Sequence, residues 1–178
     1  LGRAYRQEEE FQKALDVLFP VVRDKHDEFR IFIEYALSLL YLKKNYKGSI
    51  AILRLSTLYG YGDSRFIATL AGMLVMDGQL SESVRIFEEH TKHNFTAPDL
   101  NTIHFRPPDF TDLHKPLRIN GKVIVVKAGY SIIQPENLPN FLCPGSKWNG
   151  LMMEKGLSVS FEPGFTARAC VADKPMAV

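Results

Sequence analysis

Side chains able to do covalent or metal chemistry are few in this chain, and their spacing does not bring them together. There are five His and two Cys in 178 residues. His90 and His93 fall on one face of a helical stretch with Glu89 beside them. That is the beginning of a metal pair, but it lacks a third ligand. His104 and His114 stand in a proline-rich stretch with no Cys or acidic spacing to complete a ligand set. Cys143 and Cys170 lie in segments that read as strands, where a small sulfur side chain is more often buried than reactive. Gly60-Tyr61-Gly62-Asp63 is too short to cradle a phosphate and reads as a turn between helices. No Ser, His and Asp set can be argued from spacing. Asn94-Phe95-Thr96 is formally a glycosylation sequon, without meaning in a cytoplasmic protein. These residues predict a protein that is not an enzyme, with no metal and no cofactor, whose work is done by surfaces.

Composition bounds the elements that carry those surfaces. The chain is 46% hydrophobic, 24% charged and 11% aromatic, with a formal net charge of +2. That balance is globular, since a disordered chain is poorer in apolar residues and more charged. It excludes a basic nucleic-acid coat and an acidic tail. No apolar run approaches the roughly 18 to 20 residues that cross a bilayer. Two cysteines do not make a disulfide framework. The chain starts at Leu1 with no charged segment leading an apolar core. The expectation is therefore a fragment of a longer cytoplasmic protein without a signal peptide.

The two halves differ in kind. One proline, Pro20, lies in residues 1–95, and nine of the ten lie beyond. Proline removes a donor and clashes with the preceding helical turn. The first 95 residues can thus be helical, residues 96–117 read as a linker or cap, and residues 118–178 read as β structure. Residues 1–95 hold 13 basic and 13 acidic residues, so the positive excess lies in the second half.

The helical half repeats. Phe11, Tyr46 and Leu80 are spaced by 35 and 34 residues. Small residues follow three positions later (Ala14, Ser49, Ser83), and large apolar ones four further on (Leu18, Leu53, Phe87). Tyr5, Leu40 and Leu74 stand six positions before each anchor. Two helices that touch closely need a small residue at their crossing and apolar residues one turn away. Polar or glycine turns join them, as at Glu8-Glu9-Glu10 and Met76-Asp77-Gly78-Gln79. Each hairpin buries its face on the next. The pattern resembles the tetratricopeptide repeat, which implies a solenoid of about five to six helices that binds another protein or peptide. The usual boundary proline is replaced by Lys25-His26-Asp27. Some members of that family grip a C-terminal carboxylate with Lys, Arg and Asn on the inner helices. Within Ile33–Leu42 and Phe66–Met76 there are none, so that function does not carry over. The stretch Ile67–Met76 is apolar nearly all round and is expected to be covered on both sides.

In the linker, Leu100, Ile103, Phe105 and Phe110 are expected to cap the last hairpin. Five strands follow, over Lys122–Lys127, Tyr130–Gln134, Asn140–Cys143, Leu157–Glu162 and Thr166–Ala172. Five short strands in about 60 residues predict a Greek-key barrel of oligonucleotide-binding type, so the fold class is α+β in two modules. Gly121-Lys122-Val123, Gly129-Tyr130-Ser131-Ile132-Ile133, Asn140-Phe141-Leu142 and Gly156 to Glu162 resemble, in order and spacing, the cold-shock domain. That resemblance implies single-stranded nucleic acid stacked on aromatic side chains and lysines on the phosphates. The matching candidates are Tyr130, Phe141 and Trp148 for stacking, and Lys122, Lys127 and Lys147 for phosphates. The departures are Val125, Ser131 and Ile132 where the family carries aromatic, glycine and aromatic residues. Each lost stacking residue removes about 1 to 3 kcal/mol per base. The bland alternative is that Tyr130 and Phe141 only fill the barrel.

The expected function is a protein-interaction adaptor or scaffold within a larger assembly, with no membrane. Single-stranded nucleic-acid (RNA) binding through the barrel is the alternative. A regulatory end of an upstream enzyme outside this stretch is a third.

Overall fold

The computed structural model describes residues 1–24, 28–60, 62–90 and 102–178. Lys25-His26-Asp27, Tyr61, His93, the Asn94 sequon and Leu100 lie outside the described residues, as does the side chain of His90. The helical half opens with α1 (Gly2–Gln7) and α2 (Phe11–Asp24), joined by Glu8-Glu9-Glu10. That turn closes on α1 through the Glu10 N–H, which donates to the Tyr5 carbonyl at 2.9 Å. The second hairpin is α3 (Phe29–Lys43) and α4 (Tyr46–Arg54), turned at Lys44 in the left-handed region. Asn45 caps α4 by accepting from the Gly48 N–H. A single turn, α5 (Thr57–Gly60), leads to α6 (Ser64–Met76) and α7 (Leu80–His90). Asp63 caps α6 through the Phe66 N–H at 2.9 Å. Gly78, at a φ of 79°, makes the turn into α7, a conformation that costs glycine little.

The repeat register works as packing. Ala14, Ser49 and Ser83 are at most 1% exposed, and Leu18, Leu40, Leu53 and Leu74 are buried with them. Phe11 stacks on Tyr41, with ring centroids 5.2 Å apart. Tyr5, Tyr46 and Phe87 are half-buried, while Leu80 stays exposed on α7. One feature had no sequence signal. Glu34 of α3 lies between Arg6 of α1 and Arg65 of α6, so one buried carboxylate ties the first helices of all three hairpins. In α6, ten consecutive residues from Phe66 to Val75 are buried, as an all-round apolar helix requires.

The second half is a closed barrel. Its strands are β1 (Ile119–Lys127), β2 (Tyr130–Pro135), β3 (Phe141–Pro144), β4 (Ser158–Phe165) and β5 (Cys170–Ala177), in the order β1-β2-β3-β5-β4. Only β3 and β5 run parallel. A bulge between Val123 and Val125 bends β1 so that it pairs with both β2 and β4. This order is compatible with an oligonucleotide-binding barrel. The molecule is thus α+β, with the helices first and the barrel after them.

Strand limits differ from the sequence expectation: β1 starts at Ile119 rather than Lys122, β2 and β3 end one residue later, β5 runs on to Ala177, and two further differences have an identifiable cause. The fifth strand starts at Cys170, not Thr166. The Thr166 hydroxyl accepts the N–H groups of Arg168 and Ala169 at 3.1 and 3.0 Å, which folds that segment into a turn. The fourth runs through Pro163-Gly164 to Phe165. Beyond Phe161, β4 leaves β1 and pairs with β5, and Phe105 bridges it only at Phe165, so the missing donor of Pro163 breaks no second ladder.

The buried apolar cluster is continuous from the helices into the barrel. Phe161, Phe141, Phe165 and Phe105 follow one another at centroid distances of 5.2, 5.9 and 5.8 Å. The chain of rings ends on Gly72, where α6 has no side chain and the rings of Phe105 and Phe165 fill the space. The linker caps more than the last hairpin. Phe105 bridges to Phe165 of β4, while Phe110 lies on Tyr46 at 5.6 Å, against the second hairpin. Among the described residues, no helix is long and apolar enough to cross a membrane.

Candidate interaction surfaces at the helix-barrel junction

Strand register decides which face each barrel side chain takes. Val123, Ile133 and Phe141 pair across β1, β2 and β3 and are all buried. Neighbouring positions therefore face outward: Lys122 opposite Gln134, Val125 opposite Ile132, and Lys127 opposite Tyr130. Tyr130, Lys122 and Lys127 thus share an exposed face, and Tyr130 is 40% exposed. The middle of that face is aliphatic, with Val125, Ile132 and Leu142 half-buried.

The other candidates lie elsewhere. Phe141 is fully buried between Phe161 and Phe165, so it packs the core and offers no face to a base. Trp148 is half-buried, and its indole N–H donates to the Cys143 carbonyl at 3.4 Å. Lys147 sits at the end of the 3-10 turn Gly145–Lys147 and pairs with Asp173 at 3.1 Å. One outward aromatic, Tyr130, remains of the three that the cold-shock resemblance supplied.

α7 comes down beside this aliphatic face. Leu80, Val84 and Phe87 of α7 stand across from Ile132, Pro139 and Leu142 of the barrel. Between them is an apolar groove of about 270 Å³. Val84 is 54% exposed and stands open at the border of this hollow.

On the far side of Leu142, charge replaces apolar surface. Glu162 and Asp173 are directly opposite on β4 and β5, and both are buried. Like charges in that position repel. Four cations offset them. Arg106 from the linker reaches both, Arg118 and Lys174 reach Glu162 at 3.6 and 3.2 Å, and Lys147 reaches Asp173. Burial would raise the Asp173 carboxyl, but hydrogen bonds from Arg106 and Lys147 outweigh it and hold its pKa below the ordinary value. No sequence spacing pointed to this network, because its members are scattered over about 70 residues.

His104 and His114 have partners, and both cysteines are buried. His104 Nε2 lies 3.2 Å from the Ser64 hydroxyl, and His114 lies 3.3 Å from Glu9. Burial pushes the Cys143 thiol up to about 11 and the Cys170 thiol up to about 12, far from the thiolate a nucleophile needs. No protein-family model matches this chain, and no curated protein sequence matches it.

Proposed function

We propose that this chain is a non-enzymatic protein-interaction adaptor, working inside a larger assembly or a longer multidomain chain. The observation that carries the reading is the apolar groove between α7 and the outer face of β2 and β3, with Val84 open beside it. A hollow of about 270 Å³ with aliphatic walls suits a large apolar side chain from a protein segment. The continuous core supports the same reading, because a groove built on two packed modules keeps its shape without a partner. The inner helix α6 is already covered, with Phe105 and Phe165 against Gly72, whereas α7 leaves Leu80 and Val84 exposed.

A randomised peptide library selected against the immobilised 178-residue chain tests it. Peptides with a Leu, Ile, Met or Phe anchor should be enriched, and Val84→Arg should abolish their binding without changing the melting temperature. A library that yields no binder, or binders indifferent to Val84→Arg, removes the reading.

A second reading is single-stranded nucleic-acid binding. It is favoured by Tyr130, Lys122 and Lys127 sharing one exposed face. Anisotropy of a labelled oligonucleotide should then fall steeply with salt and be lost in Tyr130→Ala. An absence of binding at low salt excludes it.

A further inference from the structure

The apolar groove is not isolated. Leu142 and Ala169 line it, and the same two residues line a second cleft of about 840 Å³. The two hollows therefore adjoin along these side chains. Their walls have opposite character. Leu80, Val84 and Ile132 border the first, whereas Arg106, Lys147 and Arg168 border the second.

The cationic side is arranged in advance. Asp173 and Glu162 hold Arg106, and Asp173 also holds Lys147, each from a buried position. Neither cation is used up. Arg106 spends two nitrogens on those carboxylates and keeps Nε–H, and Lys147 has further ammonium donors beyond the one on Asp173. Arg168 is exposed, and its guanidinium has no partner among the described residues. Among the described residues, Arg106, Lys147 and Arg168 line the cleft and no carboxylate does, so its wall is positive. Cations held in place by buried carboxylates lose less freedom when an anion arrives.

We propose that the partner of this adaptor is a peptide segment that carries a large apolar residue followed or preceded within a few positions by Asp or Glu. The apolar side chain fills the groove beside Val84, and the carboxylate lies on Arg168, Lys147 and Arg106. This inference rests on the adaptor reading and adds the chemistry of its partner. A carboxylate matches the arginine forks, and the adjoining aliphatic groove takes the anchor. Nucleic acid fits less well, because bases stack on aromatic faces and, among the described residues, the only aromatic side chain on these walls is the half-buried Phe87.

The test uses peptides selected on the full chain, synthesised with their acidic residues intact, as Gln or Asn, and as Arg. Arg168→Glu should weaken the acidic peptide by about tenfold, and the Arg-bearing peptide should recover affinity for Arg168→Glu. The melting temperature of that variant should match the wild type, since the Arg168 guanidinium has no partner among the described residues and the substitution keeps the backbone N–H that bonds Thr166. If peptides bind and respond to Val84→Arg but not to Arg168→Glu, the acidic partner is wrong and the adaptor reading stands. If no peptide binds, both are wrong. If a ten-nucleotide single strand displaces the peptide at physiological salt and its own binding is lost in Arg168→Glu, the cleft belongs to nucleic acid and the proposal is overturned.

Discussion

Gly72→Ala tests whether the two halves share one core. In most helix interiors this change stabilises, since Ala is favoured over Gly by about 1 kcal/mol. At position 72 a Cβ would stand 2.5 Å from Phe105 Cδ1, 2.7 Å from Phe165 Cγ and 2.8 Å from Phe165 Cδ2. Carbon atoms settle at about 3.5 to 4.0 Å, so each ring must retreat by roughly 1 Å. Neither has room. Phe165 is fully buried and backed by Phe141, and Phe105 is pinned by backbone hydrogen bonds to Phe165. Overpacking of this kind costs about 1 to 3 kcal/mol, toward the upper end with two buried rings. The net expectation is a loss of about 1 to 2 kcal/mol against the propensity gain. Urea unfolding checks it, followed by far-UV circular dichroism for the helices and by the fluorescence of Trp148, the single tryptophan, for the barrel. Both midpoints should fall together, because the core is continuous. Gly48→Ala in α4 is the control: its nearest neighbour is Leu39 Cδ2 at 3.4 Å, so it should gain about 0.5 to 1 kcal/mol. A Gly72→Ala protein as stable as the wild type, or one whose helical midpoint alone moves, refutes the shared junction.

Glu34→Gln should cost about 1 to 2 kcal/mol, a figure reduced for the partial exposure of Arg6 and Arg65, whose charges it leaves facing each other; a midpoint unchanged in urea would refute it. Acid should destabilise the protein through Glu34 and Asp173. Burial would raise Glu34, but the charge and hydrogen bonds of Arg6, with those of Arg65, outweigh it, and both carboxyls lie below their ordinary values of 4.5 and 3.8. The unfolded chain therefore protonates first, so their stabilisation is complete above about pH 5 and is lost as pH falls through the folded pKa values. Melting temperatures from pH 7 to pH 2 should show the fall, and Asp173→Asn should flatten part of it; a flat wild-type profile is the contrary result. Cys143 and Cys170 should resist a thiol reagent at pH 8 in the native protein and both react in denaturant, whereas rapid native labelling of either would contradict their burial.

Legibility followed the range of the interactions. Ala14, Ser49 and Ser83 could be read from spacing because helix crossings repeat with the chain, and their burial needs only neighbouring hairpins. The strands were readable from β-branched runs and turn residues. Their ends were not, because the turn at Thr166–Ala169 depends on one hydroxyl, and the tolerance for Pro163 depends on which strand lies beside β4. Phe141 and Tyr130 look equivalent as candidate stacking residues, yet the register buries the first and exposes the second.

Local pattern was enough to set the α+β class, the repeat register of the helices and the five β segments of the barrel. Tertiary packing alone settled the closure of β3 on β5, the docking of α6 on Phe105 and Phe165, and the gathering of Arg106, Lys147 and Arg168 beside an apolar groove. The reason is distance along the chain. Periodicity reports contacts between residues a few turns apart, whereas Arg106 and Asp173 meet across 67 positions, and only the closed barrel brings them to hydrogen-bonding distance.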